Sequence, residues 1–97
     1  MLKLDKQNRI HIPVEVLNAS KINLKEDVMI YVEKEVFFIS NPNAKYDKSM
    51  CFGKLYIDVH KRFVIPKQVR ELMNIDRKAN ILCFIKDSII TFKKIKL

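Results

Sequence analysis

Asp5-Lys6-Gln7-Asn8-Arg9-Ile10-His11-Ile12-Pro13 returns later in the chain as Asp58-Val59-His60-Lys61-Arg62-Phe63-Val64-Ile65-Pro66. A shift of 53 positions carries the first stretch onto the second without a gap, and the match continues outward. Upstream, Leu2 falls on Leu55 and Leu4 on Ile57. Downstream, Val16 falls on Val69, Ile22 on Ile75, Lys25 on Lys78, and the apolar run 28–32 on 81–85. The 97-residue chain is therefore read as one domain of two repeats, residues 1–41 and 53–97, joined by a polar, turn-forming linker over 42–52. Units this short lie near the lower limit of independent folding. The copies are thus expected to share one core about a pseudo-twofold axis.

Each repeat reads strand, strand, short helix, strand, strand. Leu2 and Leu4 alternate with Lys3 and Asp5, and Leu55 and Ile57 with Tyr56 and Asp58, which predicts short strands with one buried face. Lys6-Gln7-Asn8 and Val59-His60-Lys61 turn the chain. Second strands follow over 9–12 and 62–65, with Arg9 and Arg62 on the face opposite Ile10, Ile12, Phe63 and Ile65. Pro13 and Pro66 end these strands and suit the first position of a helix. The helices are expected to reach Lys21 and Asn74, with an apolar stripe of Val69, Leu72 and Met73 in the second. Asn74 suits a left-handed cap. Residues 28–32 and 81–85 are apolar on both faces and return, after short polar turns, over 36–39 and 89–92 as hairpins. Such strands need covering on both faces, so the hairpins are where the copies are expected to interleave.

The charge points to a partner. The chain carries 19 Lys+Arg against 11 Asp+Glu, a net of +8. Such an excess on a small domain suits a polyanion, usually nucleic acid. Residues 1–49 hold 8 basic and 7 acidic side chains, whereas residues 50–97 hold 11 and 4. The second copy, with Lys61, Arg62, Lys67 and Arg70, is therefore expected to carry most of the contact. Lys3, Lys6, Lys54 and Lys67 are further candidates for phosphate. His11 aligns with Val64 and reads as structural; His60 reads as an exposed turn residue. Phe37, Phe38, Phe63, Phe84 and Phe92 read as core, while Tyr31 and Tyr56 are left open as base-stacking residues.

Other classes find little support. One glycine excludes glycine-rich phosphate cradles. Cys51 and Cys83 form no Cys-x-x-Cys pair, and with His11 and His60 they are too scattered to predict a metal site or cofactor. Both read as free thiols acting as small buried hydrophobes in a cytoplasmic protein. No nucleophile elbow or Cys–His pair predicts an enzyme. The longest apolar runs are far shorter than a membrane span.

Asp5-x-x-x-Arg9-Ile10-x-Ile12-Pro13 and Asp58-x-x-x-Arg62-Phe63-Val64-Ile65-Pro66-x-x-Val69-Arg70 resemble the AbrB/SpoVT/MazE/MraZ superfamily of swapped-hairpin DNA-binding domains. The resemblance implies a mainly β fold with short helices. Two ββαββ repeats would form a swapped-hairpin (double-split) β-barrel. It also implies a sequence-selective, double-stranded DNA-binding transcriptional regulator, a repressor, on the nucleoid of a prokaryote or in a phage or plasmid setting. The strand arginines Arg9 and Arg62 and the helix arginine Arg70 would face DNA, beside Lys6, Lys61 and Lys67. Alternatives are an antitoxin that binds a toxin, or an architectural nucleic-acid binder without sequence preference. The toxin partner is less favoured, because the basic stretch 92–97 is unlike the acidic tail of MazE-like antitoxins. One chain could close its own barrel, or two could form a homodimer. The family usually has Gly before the strand Arg, where Asn8 and Lys61 stand here. Lys adopts the left-handed conformation poorly, so the second turn is expected to differ in shape. Leu17 stands where the second copy has Arg70.

Overall fold

Alternating apolar residues at 10, 12, 63 and 65 form the buried face of two short strands and of the residues that follow them. In a computed structural model, which describes residues 1–43, 46 and 49–96, the first half contains β1 (Arg9–His11), α1 (Val14–Ala19), β2 (Val28–Glu33) and β3 (Val36–Ser40). The second contains β4 (Met50–Leu55), β5 (Arg62–Val64), α2 (Lys67–Met73), β6 (Asn80–Lys86) and β7 (Ile89–Ile95). The fold is mainly β, with two short helices and two open antiparallel sheets. One is the β1–β5 ribbon; the other has the order β4-β2-β3-β7-β6.

The registers reveal the symmetry. In the ribbon, Ile10 lies opposite Phe63, its own equivalent in the other repeat. Backbone bonds extend the ribbon symmetrically: Ile12 N–H donates to Lys61 C=O (2.8 Å) and Ile65 N–H to Asn8 C=O (3.0 Å). In the large sheet, Phe38 lies opposite Thr91, again its own equivalent. The pseudo-twofold therefore passes through both pairs. A third relation follows the same rule. Val28 pairs with Leu55 at the start of the second repeat, and Ile81 forms an isolated bridge with Leu2 at the start of the first. The opening segment of each repeat lies on the hairpin of the other.

The core fills the space between the sheets. Ile10, Ile12, Phe63 and Ile65 from the ribbon side meet Ile30, Phe37, Ile39, Ile81, Ile90 and Phe92 from the large sheet, all essentially solvent-free. Phe92 stacks on Phe37 (centroids 4.8 Å apart) and meets Phe63 edge-on (5.7 Å). These are favourable aromatic geometries, and they tie the two sheets together.

Several expectations are corrected. Residues 2–4 and 55–57 alternate in burial as expected, but among the described residues they pair only through Leu2 and Leu55. Strand β4 instead begins at Met50, inside the stretch expected as linker; residues 44, 45, 47 and 48 of that stretch lie outside the described residues. The register of β4 on β2 slips by one residue past Met29, and Gly53 (φ 105°) supplies the backbone for that bulge. Pro13 and Pro66 precede the helices as N-caps, with extended ψ of 136° and 146°. The first helix stops before Ser20, short of Lys21, whereas Asn74 takes the left-handed cap as expected (φ 56°, ψ 49°). In α2, Val69 is buried but Leu72 is exposed, because seven residues present barely one face to the core.

The hairpins also differ. Tyr31 and Val32 of β2 are buried, while their equivalents Phe84 and Ile85 of β6 are only half-buried and Leu82 is 44% exposed. The reason is coverage: β4 lies alongside β2, and Tyr46 sits edge-on to Tyr31 and Phe38. On β6 the cross-repeat strand pairing among the described residues is the single bridge to Leu2, beside contacts from α1. Cys83 is half-buried in β6, and burial pushes its thiol up to about 12. Cys51 is exposed on β4, against the expectation that both cysteines are buried.

Candidate nucleic-acid interface

Strand alternation presents Arg9, His11, Arg62 and Val64 on the outer face of the ribbon. Ile10 and Phe63 point inward and are buried. Across the strands, Arg9 lies opposite Val64 and His11 opposite Arg62. His11 is exposed and Val64 is 50% exposed. His11, expected as a structural residue, instead stands exposed on the arginine face, where the strand period of two from Arg9 puts it.

Each arginine is aligned by the carboxylate four residues earlier. Arg9 Nε donates to Asp5 Oδ2 (2.7 Å), and the backbone N–H groups of Gln7 and Arg9 donate to Oδ1 (both 2.9 Å). In the second copy, Arg62 Nε donates to Asp58 Oδ2 (3.0 Å), and the N–H groups of His60 and Arg62 donate to Oδ1 (both 2.9 Å). Backbone bonds close both turns alike: Asn8 N–H to Asp5 C=O and Lys61 N–H to Asp58 C=O, both 3.0 Å. Asn8 (φ 61°) and Lys61 (φ 63°) are both left-handed. The expected difference in turn shape is absent, because the carboxylate-capped loop outweighs the strain of about 1 kcal/mol that a left-handed non-glycine carries. Slight burial raises the pKa of both carboxyls. The backbone and side-chain N–H bonds, with the arginine charge, overcome it and hold both below the usual carboxylate range. Nε is thus engaged, while the terminal guanidinium nitrogens have no carboxylate partner among the described residues.

The crossed pairing rearranges the charge map expected from the sequence. Because Ile65 bonds Asn8, the start of α2 lies beside the turn of the first repeat. Arg70 is tied there by its Nε–H to Ile65 C=O (3.0 Å). One end of the ribbon therefore gathers Lys6, Arg9, Lys67 and Arg70. Lys67 also makes a loose, exposed pair with Glu71 (3.7 Å), of little energetic weight. The other end sets Lys61 and Arg62 beside the start of α1, where Val14, Glu15 and Leu17 replace Lys67, Gln68 and Arg70. Lys61 and Arg62 thus stand apart from Lys67 and Arg70, although all four belong to the same repeat.

The remaining candidates lie elsewhere. Lys3 follows Leu2 at the edge of β6, and Lys54 is on β4 beside Asp27 (3.5 Å). Tyr31 is buried and stacked on Phe38, so it is no base platform; Tyr56 is exposed. His60 is exposed in its turn. Among the described residues, no three His, Cys, Asp or Glu side chains gather as a metal site, and no helix is long and apolar enough to cross a membrane. Comparison with family models, with curated proteins and with solved structures gives no match for this chain, so function is read from the ribbon's own residues.

Proposed function

We propose that the protein is a sequence-selective, double-stranded DNA-binding transcriptional regulator that docks the outer face of the β1–β5 ribbon on the duplex. The carrying observation is a pair of arginines related by the pseudo-twofold, each held by its own aspartate on the exposed face of a two-stranded antiparallel ribbon. A two-stranded ribbon fits the major groove. A guanidinium restrained before binding loses less freedom on contact and can reach a guanine edge or a phosphate. Each Asp–Arg pair is nearly neutral, so the electrostatic attraction comes from Lys6, Lys61, Lys67 and Arg70 around it. In this reading one chain supplies both halves of a swapped-hairpin barrel of the AbrB-like kind, and occupancy of an operator represses transcription. Anisotropy titrations of duplex DNA at several salt concentrations test it. Log Kd should rise with log salt by several units of slope, about 0.9 per phosphate neutralised. Absence of binding at low salt overturns it.

A further inference from the structure

The two ends of the ribbon are related by symmetry in backbone but not in chemistry. One end combines Arg9 with Val64 on the face and Lys67 and Arg70 at its flank. The other combines Arg62 with His11 on the face and Val14 and Leu17 at its flank. We propose that the DNA site is consequently asymmetric: two unequal half-sites, bound in one orientation, with the stronger phosphate grip at the Arg9–Arg70 end. This rests on the DNA-binding reading and deepens it. Symmetric dimers read palindromes because the same side chains meet both half-sites. Here the duplicated backbone keeps the dyad spacing while the face residues have diverged. Val64 offers an apolar contact of the kind that suits a thymine methyl group, whereas His11 offers a polar edge for a base donor or acceptor. Arg70 and Lys67 add phosphate contacts at one end only.

The test needs no variant at first. Sequences bound by the full chain are selected from a random duplex pool, and the enriched site is rebuilt as two perfect palindromes, one from each half. Each palindrome should bind roughly tenfold or more weakly than the asymmetric parent, the cost of mismatched base pairs in one half. Val64→His, on an exposed position, should then shift preference toward the palindrome of the Arg62–His11 half. A palindrome that binds wild type as tightly as the parent overturns the inference and leaves DNA binding intact. Binding with no enriched sequence also overturns it. Failure to bind any duplex overturns the DNA-binding reading itself.

Discussion

Phe92→Ala is expected to lower the free energy of unfolding by about 3–5 kcal/mol, the range for deleting a buried phenyl ring. Domains of this size are stable by about 5–15 kcal/mol in all, so the variant should lie near the edge of folding. The position explains the size of the effect. Phe92 is solvent-free, pairs with Phe37 across the β3–β7 junction of the repeats, and stacks on it at an interplanar angle of 8°. Its edge contact with Phe63 carries the packing through to the ribbon. The ring is therefore shared by both sheets and both repeats, and its loss leaves a cavity at their meeting point. Leu72→Ala is the control. Leu72 is 57% exposed on α2, and its truncation should change stability by only about 0.5 kcal/mol. Equilibrium urea unfolding, monitored by circular dichroism, measures both. Equal losses would mean that the junction is not the centre of the fold.

The second large effect is on binding. Arg9→Ala combined with Arg62→Ala should weaken specific duplex binding by roughly a hundredfold or more, since a good bidentate arginine contact discriminates by about 1–3 kcal/mol. The fold should survive, because the Oδ1 bonds from Gln7, His60 and the backbone N–H groups of residues 9 and 62 need no arginine side chain. The corresponding Lys pair separates charge from geometry. Lysine keeps the positive charge but lacks the planar fork. It should restore the salt-dependent, sequence-independent part of binding and leave specific affinity low. Full recovery with Lys would reduce both arginines to phosphate contacts. A double Ala variant that binds like wild type would remove the ribbon from the interface.

The duplication was plain in the sequence because side-chain types repeat at a fixed offset, from Leu2/Leu55 to Ile22/Ile75. The turn–strand–helix order followed from Asp5, Asn8, Pro13 and their equivalents. The position of the axis was not legible. It depends on which residue of one copy faces which of the other, as at Ile10/Phe63 and Phe38/Thr91, and no local pattern encodes that register. The surroundings of Arg70 depend on the same register: it follows Arg62 in sequence, but its Nε–H bonds Ile65 C=O, and Ile65 N–H bonds Asn8 C=O of the other repeat. Lys61 misled for a different reason. Its weak intrinsic preference against φ 63° is overridden by the Asp58 cap, a contact to a neighbour rather than a property of lysine. For His11, alignment with Val64 points to a structural role, whereas strand periodicity puts both residues on the outer face, where they are exposed.

The most direct test of the ribbon's role is the change in backbone amide NMR signals when the full chain is titrated with its selected duplex. The expected result is perturbation concentrated at residues 6–11, 59–64 and 67–70, the two turns, the ribbon and the start of α2. Perturbation centred instead on β4 or the outer edge of β6, with the ribbon unaffected, would contradict it.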